Sequence, residues 1–308
     1  MLSKFRMELS DQKIIYNFPN QIELYIKRDD LLHPVISGNK FRKLKYNLQQ
    51  AKFLGHTKLL TFGGAFSNHI VAVAGAGLSL GFETFGVIRG EELIDKINEN
   101  PSLKSAQQNG MKFHFVDRTT YRDKSDKKFM ERLHDLYGDF YLIPEGGTNE
   151  LAVKGCEEIL TATDKSIFNY VCTAVGTGGT IAGIINSSTE KQQIIGFSSL
   201  KGDFLSDVIR NFVQKENWNV NCDYHFGGYG KMTDELIGFL NAFYKQTNVP
   251  LDPVYTGKMM YGILDLIQKD YFPPKSKILA IHTGGLQGIS GMNDLLRKKN
   301  KDTIHYND

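Results

Sequence analysis

The chain has 308 residues, enough for two domains or one large one with a substantial core. Its composition is ordinary for a globular protein, 41% hydrophobic and 23% charged, and a net charge of +3 with intermixed signs argues against a nucleic-acid-binding face. Cys156, Cys172 and Cys222 fit no CxxC or Cys/His metal spacing, so reduced thiols in a cytoplasmic protein, and no metal, are expected.

Residues 1–20 hold no uninterrupted apolar core of signal-peptide length. The most lipid-like stretch, IVAVAGAGLSLGF at 70–82, is too short for a bilayer and reads as a tightly packed internal helix. A soluble protein with no membrane partner is expected.

In chain order, a helix is predicted over 40–54, where Phe41, Leu44, Leu48, Ala51 and Leu54 recur at helical spacing before Gly55. A strand at 58–62 then precedes a helix at 68–80, and a strand at 84–88 precedes a helix at 101–109. A strand at 112–116 leads to helices at 125–137 and 149–161, and a strand at 169–175 to a helix at 179–187. A strand at 193–199 leads to helices at 203–215, 231–245 and 257–269, and a strand at 277–282 to a helix at 286–298. Such alternation predicts an α/β fold of βαβ units, with largely parallel sheets and helices on both faces.

Three glycine-rich turns follow predicted strands: FGGAFSNH, VGTGGT and HTGG. Ligands of open α/β sheets gather at the carboxyl ends of strands, which makes these turns the first place to look for a site. In AVGTGGTIAG (174–183), backbone N–H groups at a helix start can cradle an anion, or the loop can be a bare tight connection. No Lys-Ser/Thr follows, and Ile181 breaks a GxGxxG reading, so no nucleotide is specified. Ser67 and Asn68 are ordinary helix caps or grips for a carboxylate. His69 is a base, a cap or a packed residue. Tyr255 and Thr283 gain meaning only if their turns converge with the others. Lys40 alone reads as a solvated cation, yet an amine near a helix N-terminus has a lowered pKa, which suits a nucleophile toward an aldehyde. Gly38 would let something planar approach, and Asn39 would cap the helix or touch that ligand.

The ordered set GNK-x-RKL, GG-x-x-SNH, GTGGT, LDPVY-x-GK and HTGG, running from about residue 22 to HTGG, resembles the pyridoxal-phosphate enzymes that include 1-aminocyclopropane-1-carboxylate deaminase and D-cysteine desulfhydrase. The resemblance implies fold type II, the tryptophan synthase β-like fold, with two three-layer αβα domains. The larger would comprise 1–46 and 156–308 and bind the cofactor; the smaller would span 47–155. A homodimer acting on a small amino acid is implied as well. Lys40 would carry pyridoxal phosphate covalently, and Asn68 would bond its hydroxyl. Gly176, Thr177, Gly178, Gly179 and Thr180 would hold the phosphate, with Lys43 adding charge, and Thr283 would sit beside the pyridine nitrogen. Ser67 would contact the substrate carboxylate, with Asn68, His69 and Tyr255 completing the substrate site; Lys40, Ser67 and Tyr255 would be catalytic.

Within the resemblance, Thr256, Thr283 and His69 stand where the cyclopropane deaminases typically have Glu, Leu and Gln, which favours the desulfhydrase side. The expected reaction is β-elimination from D-cysteine: Lys40 takes the α-proton, the β-substituent leaves, and hydrolysis gives pyruvate and ammonia. Tyr255 would position the substrate or protonate the thiolate. The cyclopropane deaminase, and a non-catalytic cofactor-binding protein, are the alternatives. Phe66, Val71 and Ala72 depart from the family pattern beside the carboxylate loop and bear on substrate identity.

Overall fold

A computed structural model of the chain describes residues 10–306. The reading of residues 1–9 as free of a signal-peptide core, and the outermost ends of the expected large domain, lie outside the described residues. Among the described residues ten strands form two sheets. The larger contains β1 (Gln12–Lys13), β2 (Glu23–Lys27), β7 (Tyr170–Val175), β8 (Gln193–Ser198), β9 (Trp218–Asn221) and β10 (Lys277–Ile281), in the order β1-β2-β10-β7-β8-β9. The smaller contains β3 (Lys58–Gly63), β4 (Glu83–Arg89), β5 (Lys112–Val116) and β6 (Tyr141–Ile143), in the order β5-β4-β3-β6. Among the described residues only the β1–β2 pairing is antiparallel.

Each sheet is buried on both faces, which is why its inner strands read as continuous apolar runs. In the larger sheet, Leu24, Ile26, Ala174, Ile278 and Ala280 meet helices Asp234–Thr247 and Thr256–Gln268 on one face. On the other face Val171, Val175, Leu279 and Ile281 meet Ile181, Ile184 and Ile185 of helix Gly179–Ser187. In the smaller sheet, Leu59 and Ile88 share a cluster with helices Asn39–Phe53 and Asn68–Leu80, whereas Leu60, Phe62 and Val87 face Phe129 and Leu133. These are two three-layer αβα units, as the resemblance implies.

Strand order places the site. β8 and β9 lie on one side of β7, and the chain returns to form β10 on the other. β4 and β5 likewise lie on one side of β3 and β6 on the other. Each sheet thus has a switch point, between β7 and β10 and between β3 and β6, where carboxyl-end turns diverge and leave a crevice.

All six expected strands form within one residue of their predicted starts. β1, β2, β6 and β9 were not expected: β1, β6 and β9 are short edge strands, and β2 carries the charged Glu23 and Lys27 among its apolar residues. The predicted helix over 149–161 stops at Cys156, and Thr161 and Asp164 form a capping box that starts a separate helix, Ala162–Ile167. The 203–215 prediction shortens to Leu205–Arg210. The expected domain limits at 46/47 and 155/156 fall inside helices Asn39–Phe53 and Glu150–Cys156. Among the described residues no helix is long and apolar enough to cross a membrane.

Those two helices touch backbone to backbone. A Cβ on Gly155 would stand 2.1 Å from the Arg42 carbonyl oxygen, a distance no relaxed side chain adopts. Gly155→Ala is therefore expected to push the lysine-bearing helix outward and cost about 1–3 kcal/mol, read as a lower denaturant midpoint with unchanged slope; an unshifted midpoint would contradict this packing.

Candidate active site

The two switch points face each other across one cavity of about 840 Å³. Turns after β3, β4, β6, β7, β8 and β10 all contribute to its lining, and every predicted site residue lines it except Gly179. Gly179 lies just behind, where a Cβ would come 3.3 Å from Lys43 Nζ.

Lys40 is the second residue of helix Asn39–Phe53. The helix start is docked by Gly38 (φ +62°), where a Cβ would overlap the Thr283 carbonyl oxygen at 2.0 Å. What approaches Gly38 is thus the planar Thr283–Gly284 peptide, not the ligand expected from sequence. Gly38 also takes the capping position, which was one of the two alternatives open to Asn39. Asn39 instead bridges the site: Lys40 Nζ donates to Asn39 Oδ1 at 3.1 Å, and Asn39 Nδ2 donates to Thr180 Oγ1 at 2.8 Å.

The Lys40 amine is lowered to about 7, first by burial and then by the charge of Lys43. Burial rather than the helix terminus is the main cause. Lys43 is 2% exposed and also lowered, by burial. Its Nζ donates to Thr148 Oγ1 at 2.9 Å, Gly146 O at 3.1 Å and Thr177 Oγ1 at 3.4 Å, all neutral oxygens. Among the described residues neither lysine has a carboxylate within 4 Å. Two desolvated amines with no carboxylate in contact, Asp252 acting on Lys40 only through space, leave an anion wanting.

The turn after β7 supplies the other half of such a site. Gly178 takes φ +81° and leads into helix Gly179–Ser187, whose first N–H groups have no partner within the helix. A Cβ on Gly176 would come 3.0 Å from the ring of Tyr255, so glycine keeps the turn open beneath that ring. Ser67 caps helix Asn68–Leu80, accepting from Ile70 N at 3.3 Å. His69 is buried. Thr61 Oγ1 donates to the Ile143 carbonyl at 2.8 Å and so accepts from His69 Nε2–H, also at 2.8 Å. Burial, then Lys40 and Lys43, holds the imidazole well below its ordinary pKa, hence neutral.

Tyr255 lies at the cap of helix Thr256–Gln268, hydrogen-bonded to Tyr229, and burial holds its hydroxyl well above 10. The turn is tied by Asp252, whose Oδ1 accepts from Tyr255 N at 2.5 Å and Thr256 N at 3.2 Å. Burial pushes Asp252 up to about 6. Thr256, fully buried, accepts from Asp252 N at 2.7 Å and does not line the cavity. Of the three departures, Phe66 lines the cavity and is 41% exposed, whereas Val71 and Ala72 are buried on helix Asn68–Leu80 and do not line it.

Sequence reasoning missed Asp252, Tyr229, Glu145 and Arg89, which also line the cavity. Glu145 belongs to PEGG after β6, a glycine turn of the same kind as the three singled out, and that pattern could have found it.

Fold and cavity together define a class: two largely parallel α/β units flanking a cavity whose lysines and glycine turn suit a ligand that carries an anion and meets an amine of lowered pKa. The family model described as pyridoxal-phosphate dependent enzyme matches residues 16–284. A Pyrococcus abyssi protein provisionally named 1-aminocyclopropane-1-carboxylate deaminase is 32% identical over 288 residues, 87% of this chain and 86% of that protein. The Arabidopsis thaliana mitochondrial bifunctional D-cysteine desulfhydrase/1-aminocyclopropane-1-carboxylate deaminase is 32% identical over 302 residues, 88% of this chain and 74% of that one. A crystal structure of an ACC deaminase homologue superposes with a TM-score of 0.78 at 29% identity, covering 94% of this chain and 93% of that one. The chain belongs to the pyridoxal-phosphate dependent enzymes, in the group of 1-aminocyclopropane-1-carboxylate deaminase and D-cysteine desulfhydrase.

In cofactor-free protein, Lys40 should acylate with a half-maximal rate near pH 7, because the neutral amine dominates above that value. Lys43→Met should move that midpoint upward, since the like charge is the second cause of the shift. Peptide mass spectrometry across pH checks this; a Lys40 midpoint at the ordinary lysine value would contradict it.

Proposed function

We propose that the chain is a lyase that removes the β-substituent and the amino group of a small amino acid, D-cysteine being the preferred substrate, to give pyruvate, hydrogen sulfide and ammonia. The observation that supports this reading best is the pair Lys40 and Lys43, two desolvated amines without a carboxylate beside a glycine turn. When bound, pyridoxal phosphate supplies an electron sink for the substrate's α-carbon. Lys40 would anchor it. Lys43 and the backbone of Gly176, Thr177, Gly178, Gly179 and Thr180 would hold its phosphate, a dianion suited to a helix N-terminus. Asn68 would bond its hydroxyl and Thr283 its ring nitrogen.

Ser67 and Asn68, at the start of helix Asn68–Leu80, would hold the substrate carboxylate, with neutral His69 behind them. Lys40 Nζ, uncharged in much of the population at neutral pH, would take the α-proton. Tyr255 stays protonated throughout the working range, so it would position the substrate by donating a hydrogen bond rather than surrender its proton to a thiolate. A threonine beside the ring nitrogen can only hydrogen-bond it, and Thr256 is tied to Asp252. Neither offers the acid that ring opening of the cyclopropane substrate calls for. The resemblance also carries a homodimer, and the cysteine pattern a cytoplasmic location.

With D-cysteine the purified holoenzyme should release pyruvate and sulfide in equal amounts, and with 1-aminocyclopropane-1-carboxylate no 2-oxobutyrate. The reverse pattern would assign the protein to the cyclopropane reaction. Lys40→Ala should remove the visible cofactor band and lower turnover by about 1,000-fold; a wild-type protein without such a band would sink the cofactor assignment of Lys40 itself.

A further inference from the structure

β4 ends at the cavity in Arg89, a solvent-exposed residue followed by Gly90 at φ +116°. The charges around it pair off without it. Arg118 takes Glu92 at 3.1 Å, and Lys124 takes Glu145 at 3.1 Å, where the Tyr121 hydroxyl also donates at 2.8 Å. Among the described residues the Arg89 side chain has no carboxylate within 4 Å and no hydrogen bond; its guanidinium carbon lies 5.6 Å from the centre of the Tyr121 ring. Its charge also reaches the hydroxyl of Tyr229, the partner of Tyr255. On the other side, Arg89 Nη2 stands 3.5 Å from where a Cβ on Gly64 would be, on the turn that leads to Ser67.

Arg89 therefore stands between the proposed carboxylate turn and the tyrosine pair, with its planar fork of N–H donors uncommitted. Such a fork matches an anion better than a neutral group. The α-carboxylate already has a place at the start of helix Asn68–Leu80, so a second negative charge has to come from the substrate's side chain.

We propose that Arg89 is a specificity-determining residue that reads negative charge on the β-substituent, so that the site prefers small amino acids whose side chain is anionic, a thiolate or an oxyanion, over neutral ones of the same shape. The inference rests on the reading above that the α-carboxylate sits at Ser67 and Asn68.

Aspartate and asparagine, isosteric and without a good β-leaving group, are the probes, each in D and L form. Their affinities for the holoenzyme are measured by calorimetry and as inhibition constants against D-cysteine turnover. Wild type should bind aspartate about tenfold more tightly than asparagine. Arg89→Gln should bring the two within about twofold while leaving asparagine affinity and the cofactor band unchanged, and Arg89→Lys should restore part of the preference. A wild-type ratio near one, or a ratio that survives Arg89→Gln, overturns the inference while leaving the lyase reading intact. A holoenzyme that binds neither probe and turns over no amino acid sinks the amino-acid site, and this inference with it.

Discussion

The site depends on one backbone contact. Gly38 lies against the Thr283 carbonyl so closely that even a methyl group is excluded, and Asn39 N donates to the same oxygen at 3.3 Å. That contact fixes the start of the lysine-bearing helix on the turn that leaves β10, although the rest of the helix packs among residues of the four-stranded unit. The amine of Lys40 is thereby set by both units at once. A left-handed φ and the absence of a Cβ are needed together, and only glycine supplies both without strain.

Around that contact the structure gathers unfavourable electrostatics. Lys40 and Lys43 are desolvated near each other, and Asp252 is buried and pushed up to about 6 while serving as a cap for the Tyr255 turn. None of these groups is placed where folding alone would put it. A dianionic ligand reverses the sign of the problem for the lysines, because the same burial that disfavours their charge strengthens its attraction to a phosphate. Cofactor binding and stability are coupled in such a protein, since whatever binds the folded state alone stabilises it.

Much of this was legible in the sequence. The doubly buried strands announce themselves as apolar runs, and the glycine turns follow them at the right positions. Most of the predicted site residues that line the cavity come from those turns. What was hidden has physical reasons. β1, β6 and β9 are edge strands of two to four residues, too short to show a period. Asp252 reads as an ordinary turn residue before proline, and its role emerges only from the three backbone N–H groups around it. Arg89 looks like the end of a strand, since nothing local reveals that the neighbouring charges pair with one another. Val71 and Ala72, which looked relevant to the substrate, turn inward because helix Asn68–Leu80 is buried nearly all round. Gly38 was read as room for a ligand and proved to be room for the chain itself.

The arrangement of the rim separates what is free to vary from what is not. Turns leaving six different strands border the cavity, together with the Asp252–Tyr255 turn between two helices, and their side chains face the cavity rather than the sheets beneath. Phe66 sits on one such turn, with its ring against Gly291 of helix Ile289–Lys298. A change there alters the wall that meets an incoming molecule and leaves the lysine, the glycine cradle and both cores in place. New selectivity in this architecture is therefore reachable by single steps at the turns, whereas the frame that holds the amine tolerates almost none.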